Sequence, residues 1–168
     1  MTANIVNIIH SFVDYPHPAE DCITVFLSGC GHNCKFCHNE SIQDISKGKQ
    51  YTPESLIVEL KTLSVRYKTN NIVLQGGDPL FGSNLDFTRY LICNSTDLNF
   101  CIYTGYSINY VKKYFNKEDA AYWKCGLYDV KKKMISGKTD ESFSLGSSNQ
   151  DFFNTNFKKI SKNGVLKF

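Results

Sequence analysis

The chain has 168 residues, of which 42% are hydrophobic and 21% are charged, and its formal net charge is +3. This composition is typical of one globular domain and excludes a disordered chain. The charge is small and no basic face concentrates it, so we expect no nucleic-acid partner.

The seven cysteines have to be interpreted together with the expected compartment. No apolar stretch approaches the about 20 residues that span a bilayer. The amino terminus lacks the basic start and the apolar block of a signal peptide. We therefore expect a cytoplasmic protein with no membrane partner, and close-set cysteines in the cytoplasm usually indicate metal or redox chemistry.

The first half of the chain predicts two strands separated by a helix. The β-branched and aromatic residues 22–28 predict a buried strand, which ends at a glycine and a cluster of cysteines. Residues 52–67 predict a helix, because Thr52 is placed to cap it, a proline follows, and leucines recur at helical spacing. Residues 71–75 predict a second strand, which the Gly-Gly-Asp-Pro sequence at 76–79 stops.

The second half of the chain continues the alternation of strands and helices. Residues 83–93 predict a helix, residues 98–104 predict a third strand, and residues 126–130 predict a fourth. Between these two strands, Ser107 is placed to cap a short helix. Residues from about 131 to 168 are rich in Ser, Asn, Lys and Gly and have weak periodicity, so we expect a polar tail or covering loop there.

The order of the elements predicts the fold class. Strands that alternate with helices form βαβ units and a mainly parallel sheet. A complete eight-stranded barrel usually needs at least about 200 residues, so this chain can form only part of one. We predict a single α/β domain over residues 1–168, built on an open, curved and mainly parallel sheet.

Four polar segments follow the predicted strands at their carboxyl ends. They are the cysteine cluster, the Gly-Gly-Asp-Pro loop, the Thr-Gly-Tyr sequence at 104–106, and residues 129–131. The carboxyl ends of parallel strands meet at one rim, and ligands bind there. We therefore expect these segments to converge on one site.

Three closely spaced thiols indicate an inorganic centre. Cys30, Cys34 and Cys37 lie within eight residues, so one loop can wrap a single centre. Structural zinc normally takes four protein ligands, and His32, His38 or a distant cysteine could supply the fourth. An electron-transfer 4Fe–4S cluster also normally has four thiolates, so three thiolates on four irons would leave one iron open for chemistry.

The remaining cysteines form no second motif. They lie in or beside apolar runs, where a free cysteine is usually a small buried hydrophobe. They are Cys22, Cys93, Cys101 and Cys125. The chain also lacks a phosphate-binding Gly-x-x-x-x-Gly-Lys loop and a Ser/His/Asp arrangement.

The spacing Cys-x-x-x-Cys-x-x-Cys, with an aromatic residue before the last cysteine, resembles the signature of the radical S-adenosylmethionine (SAM) superfamily. Three further sequences resemble the activating protein of the anaerobic ribonucleoside-triphosphate reductase, a glycyl-radical enzyme activase. They are GGDPL at 76–80, YTGY at 103–106 and GSSNQ at 146–150. At the fourth strand this chain departs from that family: where the family tends to have Val-Asp-Gly, residues 128–131 are Tyr-Asp-Val-Lys, which is closer to other glycyl-radical activases.

The resemblance implies a fold, a reaction and partners. The fold is an incomplete radical SAM (β/α) barrel, with residues 131–168 on or near its mouth. The three cysteines would hold a 4Fe–4S cluster whose open iron binds the amino and carboxylate groups of SAM. Reductive cleavage of SAM would give a 5′-deoxyadenosyl radical, which would take a hydrogen atom from a glycine of the reductase. The implied enzyme is a radical SAM oxidoreductase, and its implied partners are the large reductase subunit and reduced flavodoxin or a similar donor.

The resemblance also implies the roles of individual residues. Cys30, Cys34 and Cys37 are the implied metal ligands and catalytic residues. The implied SAM-binding residues are Phe36, Cys37, His38, Gly76, Gly77, Asp78, Thr104, Asp129 and Lys131. Among them, the ring of Phe36 would lie against adenine, and Gly76 and Gly77 would face the amino group of SAM. Thr104, Asp129 and Lys131 would contact the ribose or the carboxylate of SAM. Residues 146–150 would line the mouth or meet the partner.

Two alternative functions stay open at this point. One is a different radical SAM enzyme, acting on a small molecule or on another glycyl-radical enzyme. The other is a non-catalytic zinc or iron–sulfur module in which a fourth protein residue completes the ligand set.

Overall fold

A seven-stranded sheet lies at the centre of the computed structural model, which describes residues 1–168. The ten strands of the chain are β1 (Ala3–Ser11), β2 (Cys22–Leu27), β3 (Lys49–Tyr51), β4 (Asn71–Gly76), β5 (Asn99–Tyr103), β6 (Tyr122–Cys125), β7 (Gly137–Lys138), β8 (Ser142–Ser144), β9 (Asp151–Asn154) and β10 (Val165–Lys167). The three α-helices are α1 (Pro53–Tyr67), α2 (Asn84–Cys93) and α3 (Ile108–Val111).

The large sheet has a parallel centre and antiparallel edges. Its order is β3-β1-β2-β4-β5-β6-β9, and the pairs β2–β4, β4–β5 and β5–β6 are parallel. The strands β1, β3 and β9 pair antiparallel at the two sides. The α/β class and the mainly parallel central sheet are thus confirmed, and the description of the sheet as a partial barrel stays a prediction.

The helices begin where the sequence predicts. The Thr52 hydroxyl accepts the backbone N–H of Ser55 at 3.2 Å and caps α1, as side-chain oxygens at this position commonly do. The Ser107 hydroxyl accepts the N–H of Tyr110 at 3.3 Å and caps α3. None of the helices combines the length and the apolar composition that crossing a membrane requires.

Two hydrophobic cores lie on opposite faces of the large sheet, because successive side chains of a strand alternate between faces. Ile72 and Phe100 belong to the core that packs under α1 and α2, whereas their neighbours Val73 and Cys101 belong to the second core. Residues of the carboxyl-terminal third of the chain, such as Phe152, complete the second core. The face that carries Val73 and Cys101, called the inner face below, is therefore covered by the carboxyl-terminal third of the chain.

The segment 131–168 is more ordered than a tail. The strands β10, β8 and β7 form a small antiparallel sheet, and β9 joins the edge of the large sheet. The Lys138 ammonium donates hydrogen bonds to the carbonyls of Tyr15, His17 and Glu20, at 2.7 to 3.3 Å. Strands of two to four residues give too little periodicity to be predicted from sequence.

Two sequence predictions about the second half of the chain are wrong. The fourth parallel strand is Tyr122–Cys125, not residues 126–130, because Gly126 adopts a φ of +106° and ends the strand. Cys93 is exposed at the end of α2, whereas the other three cysteines outside the loop are buried as expected. The strands β1 and β3 were not predicted from the sequence.

Candidate metal and cofactor site

A cavity of about 430 Å³ opens at the carboxyl ends of the four parallel strands. The cysteine loop after β2, the Gly-Gly-Asp loop after β4 and the Thr-Gly turn after β5 all line it. Residues 143–146, which include part of β8, form another wall. Three of the four predicted polar segments thus converge on one cavity, and residues 129–131 do not line it.

The three thiols of the cysteine loop all line this cavity. Cys30, Cys34 and Cys37 are free and partly buried. The N–H of Cys30 donates to the carbonyl of Gln43 at 3.0 Å, and the N–H of Cys37 donates to the carbonyl of Cys34 at 3.2 Å. The N–H of Asn39 donates to the sulfur of Cys37 at 3.4 Å. The loop is therefore anchored at its start, is closed by hydrogen bonds within its second half, and presents three sulfurs to one cavity.

The electrostatic surroundings of Cys30 favour a bound cation. Burial raises the pKa of the Cys30 thiol, and a hydrogen bond from the backbone of His32 opposes that change. The charges of Asp78 and the two other cysteines of the loop raise the pKa of Cys30 further. Thiolates are the form that binds metal, and a cation placed among the three sulfurs would relieve their mutual repulsion. The donor set fits a thiolate-bound metal centre, and soft sulfur ligands suit iron–sulfur clusters and zinc.

The Asp78 carboxylate is almost completely buried, with 1% of its area exposed. Its Oδ1 accepts the N–H of Leu80 at 2.8 Å and the hydroxyl of Thr104 at 2.9 Å. Its Oδ2 accepts the N–H of Gly105 at 2.8 Å and lies 2.9 Å from Nε2 of His32. The carboxylate thus joins three of the segments that build the cavity, and both of its oxygens are occupied.

The Gly-Gly-Asp loop lies directly against the end of β2. The N–H of Gly77 donates to the carbonyl of Leu27, and the N–H of Asp78 donates to the carbonyl of Gly29, both at 2.7 Å. A Cβ atom on Gly77 would lie 2.3 Å from the oxygen of Gly29, so only glycine permits this approach. The carbonyl of Gly76 accepts the side-chain amide of Asn39 at 3.0 Å, which connects the loop to the cysteine loop.

Lys124 is the only lysine or arginine that lines the cavity. It lies on β6, where the alternation of side chains places it on the inner face with Tyr122, away from Trp123 and Cys125 in the helix-side core. Its ammonium makes no salt bridge, and it lies 5.7 Å from the ring centre of Tyr103. Burial lowers the pKa of Lys124, and nearby anionic groups raise it. The cavity wall therefore carries one cation without an acidic partner.

Most of the predicted site residues lie together. The predicted residues that line the cavity are Cys30, Cys34, Cys37, His38, Gly76, Gly77, Asp78 and Thr104. Gly146 and Gln150 line it as well. The predicted roles of these residues in binding stay predictions.

Three predicted residues lie outside the cavity lining. Phe36 is 65% exposed, with the ammonium of Lys35 5.3 Å from its ring centre. Asp129 accepts the N–H of Lys131 at 3.0 Å and begins a single 3-10 turn. Because residues 126–130 do not form a strand, Asp129 and Lys131 do not lie at the carboxyl end of a parallel strand.

Sequence reasoning missed three residues of the site. His32, Asn39 and Lys124 line the cavity, yet none of them was assigned a role in binding SAM. The position of His32 between Cys30 and Cys34 was a signal that it belongs to the site, although the sequence suggested only that it could be a fourth metal ligand. For Lys124 the signal was the alternation of polar and apolar residues in Tyr-Trp-Lys-Cys, residues 122–125.

Cys30, His32 and Asp78 also form the one group of potential metal ligands whose donor atoms lie within 4.8 Å of one another. A zinc site with these ligands would compete with the hydrogen bonds already described, since His32 and both Asp78 oxygens are used. The three sulfurs of the loop carry no comparable commitment to other side chains. These hydrogen bonds therefore argue against a metal ion held by Cys30, His32 and Asp78 together.

Known proteins are similar to this chain over about half of its length. An anaerobic ribonucleoside-triphosphate reductase-activating protein from Vibrio cholerae is 36% identical over 98 residues, which are 54% of this chain and 61% of that protein. The protein of the same name from Haemophilus influenzae is 31% identical over 97 residues, which are 54% of this chain and 61% of that protein. The chain thus spans about 61% of the length of these curated relatives.

The crystal structure of QueE from Escherichia coli superposes with a TM-score of 0.46 and 20% identity, over 62% of this chain and 53% of that chain. The curated relatives confirm the resemblance that the cysteine spacing and the loop sequences indicate. The model of the family described as "4Fe-4S single cluster domain" matches residues 21–153, which is well over half of the chain. The chain therefore belongs to the 4Fe-4S single cluster domain family.

Proposed function

We propose that this protein is a radical SAM activase that generates a glycyl radical on an anaerobic ribonucleoside-triphosphate reductase. The observation that carries the proposal is the set of three free cysteines on one cavity at the carboxyl ends of a parallel sheet. The family match and the names of the relatives support it.

In this proposal Cys30, Cys34 and Cys37 hold a 4Fe–4S cluster, and no fourth side chain completes the set. When bound, the cluster supplies the electron that cleaves SAM to methionine and a 5′-deoxyadenosyl radical. His32 and Asp78 do not compete for the open position, because they bond each other at 2.9 Å.

The rest of the cavity would bind and shield SAM. Its volume of about 430 Å³ lies in the range of small-molecule sites. The backbone of the Gly-Gly-Asp loop is accessible from the cavity, and Lys124 offers a cation to a carboxylate. Apolar walls from Phe26, Phe143 and Leu145 would limit the water around a reactive radical.

The proposed substrate is a protein, so a segment of the reductase has to reach the cavity. Large apolar side chains are exposed near the opening: Val13 lines the cavity and is 56% exposed, and Ile135 precedes a lining residue and is 94% exposed. In the proposal, residues 131–168 form part of this mouth within one domain of residues 1–168. The large reductase subunit docks there, and reduced flavodoxin or a similar donor supplies electrons.

Anaerobic reconstitution with iron and sulfide tests the cluster and SAM cleavage. The expected result is near four irons per chain and production of 5′-deoxyadenosine from SAM under reductant. The Cys34→Ala variant should lose both. Cys93→Ala is the matched control, because Cys93 is an exposed cysteine outside the loop, and it should retain both. A colourless protein with one zinc per chain would instead support the metal-binding module.

Activation of the reductase tests the substrate. The protein, an anaerobic ribonucleoside-triphosphate reductase, dithionite and SAM are mixed without oxygen, and the electron paramagnetic resonance (EPR) spectrum is recorded. A glycyl-radical doublet on the reductase supports the proposal. Cleavage of SAM without this doublet would support a radical SAM enzyme with another substrate.

A further inference from the structure

The His32 side chain is held in place by three contacts from other segments. Its Nε2 lies 2.9 Å from Oδ2 of Asp78. Its ring packs edge-on against Tyr106, with ring centres 4.5 Å apart at an interplanar angle of 69°. The ring also lies directly over Gly105, where an added Cβ atom would be 2.4 Å from the His32 ring. Since His32 lies between Cys30 and Cys34, these contacts fix the middle of the cysteine loop.

The acceptor of this hydrogen bond is itself fixed. Asp78 is held by the N–H groups of Leu80 and Gly105 and by the hydroxyl of Thr104. Its N–H is bonded to the carbonyl of Gly29, one residue before Cys30. A carboxylate with this many donors and 1% exposure cannot turn toward a ligand in the cavity without breaking several hydrogen bonds.

We propose that His32 and Asp78 are a positioning pair that sets the place of the metal-binding loop, and that neither of them binds metal or SAM. This inference rests on the proposed function for its effect on the cluster. It assigns Asp78 a role different from the SAM-binding role that the family resemblance implies. Groups that hydrogen-bond near metal ligands orient those ligands, and their loss typically weakens metal binding about 10- to 100-fold.

The pair acts locally, because other hydrogen bonds hold the surrounding backbone. The start of the cysteine loop is bonded through the N–H groups of Gly29 and Cys30 to Ile42 and Gln43, and the Gly-Gly-Asp loop is bonded to Leu27. The side-chain amide of Asn84 also bonds the carbonyls of Ser28 and Asp78, at 2.8 and 3.1 Å. Loss of the His32 side chain should therefore loosen only the segment between the first two cysteines.

The first experiment needs no cofactor and uses the rate at which iodoacetamide alkylates Cys30 in the metal-free protein. His32→Leu removes the donor, Asp78→Asn replaces a carboxylate oxygen that accepts hydrogen bonds with an amide that donates them, and His32→Gln keeps a donor at a similar reach. We expect His32→Leu and Asp78→Asn to raise the rate by a similar factor, the double variant to add little, and His32→Gln to stay near the wild-type rate. If the double variant raised the alkylation rate by the product of the two single factors, the two residues would act independently, and this result would overturn the proposal that they form a pair. If Asp78→Asn does not fold, the His32 variants alone decide: equal rates for His32→Leu and the wild type would overturn it.

The matched control is His10→Gln. His10 makes an equivalent hydrogen bond with Asp21, at the end of β2 opposite the cavity. Its variant should leave the alkylation rate of Cys30 unchanged, which would separate the local effect from a general loss of stability.

The second experiment uses the reconstituted protein and measures iron release to a chelator, the EPR spectrum of the reduced cluster and the affinity for SAM. We expect His32→Leu and Asp78→Asn to release iron about 10-fold faster and to change the spectrum in the same way, with recovery in His32→Gln. If Asp78 bound SAM directly, Asp78→Asn alone would weaken SAM binding, and this result would overturn the inference. If His32 were a metal ligand, His32→Gln would not recover the wild-type spectrum, which would also overturn it. Failure of the wild type to take up iron or to bind SAM would refute the proposed function, whereas the alkylation result would still decide the pair.

Discussion

Replacing Gly77 with alanine should separate the Gly-Gly-Asp loop from the end of β2. The added Cβ atom would lie 2.3 Å from the oxygen of Gly29, whereas ordinary contact begins at 3.4 Å. The loop would have to move by about 1 Å, since no flexible side chain is available to give way. That movement would break the two 2.7 Å hydrogen bonds that Gly77 and Asp78 donate to Leu27 and Gly29.

The magnitude follows from these two hydrogen bonds. Leaving a buried hydrogen bond unmade costs about 1–2 kcal/mol, so the expected loss in the free energy of unfolding is about 2–4 kcal/mol. For a chain of this length, this corresponds to a fall in the melting temperature of about 5–15 °C. Urea unfolding can be followed by the fluorescence of Trp123, which is the single tryptophan and is fully buried.

Gly137→Ala is the matched control. Neither glycine has a φ angle in the left-handed region, so alanine adds no backbone strain at either position. An added Cβ on Gly137 would have no atom within 4 Å, and its variant should unfold like the wild type or be slightly more stable. Equal stabilities for Gly77→Ala and Gly137→Ala would refute the argument that close backbone approach requires Gly77.

Three further predictions concern buried or cavity-facing groups. Burial raises the pKa of Cys125 to about 12 from 9.0. Between about pH 9 and pH 12 the thiol is therefore protonated in the folded state and deprotonated in the unfolded state. The free energy of unfolding should fall as the pH rises through this range. Urea titrations at several pH values check this, and the fall should be shallower in Cys125→Ala. Lys124→Met should weaken the binding of SAM to the reconstituted protein about tenfold or more, as measured by calorimetry. The reason is that the carboxylate of SAM loses a charged partner. Lys138→Met should lower the free energy of unfolding by about 1–2 kcal/mol, because three carbonyls lose a shared donor.

Each of these predictions has a control. Lys124→Arg should retain much of the affinity for SAM, and a similar loss in both Lys124 variants would point to packing and not to charge. Lys162→Met removes an exposed lysine whose ammonium has no hydrogen bond or salt bridge in the structure, and it should leave stability unchanged. A pH profile of Cys125→Ala as steep as that of the wild type would contradict the origin assigned to the alkaline loss of stability.

The elements that were predicted correctly have strong local signals. Thr52 and the leucines of α1 define a capped amphipathic helix. The β-branched and aromatic residues 22–28 define a buried strand that ends at a tight turn. The cysteine spacing and the Gly-Gly-Asp-Pro sequence are also local, and the parallel fold brings them together at one edge of the sheet. The convergence of these loops on one cavity was therefore predictable from the sequence.

The elements that were missed depend on tertiary contacts. β6 contains Lys124, a residue type that is depleted in strands, and the cavity that accommodates its charge is formed by segments distant in sequence. Phe36 is exposed in the structure, and its predicted contact with adenine stays a prediction. The contact between His32 and Asp78 joins residues 46 positions apart, and no periodic pattern encodes such a pair.

The second hydrophobic core has a consequence for the order in which the cavity is assembled. It joins Tyr15 to Phe143 and Phe152, so contacts between distant parts of the polypeptide must form before the inner wall exists. Such long-range contacts form late, because closing a long loop costs entropy before any contact repays it. The sulfur-bearing loop is held by near neighbours, such as Gln43, and also by the Gly-Gly-Asp loop about 40 positions away. A substitution that loosens the final third of the polypeptide would therefore open the inner wall of the cavity, although the cysteines lie in the first quarter of the polypeptide.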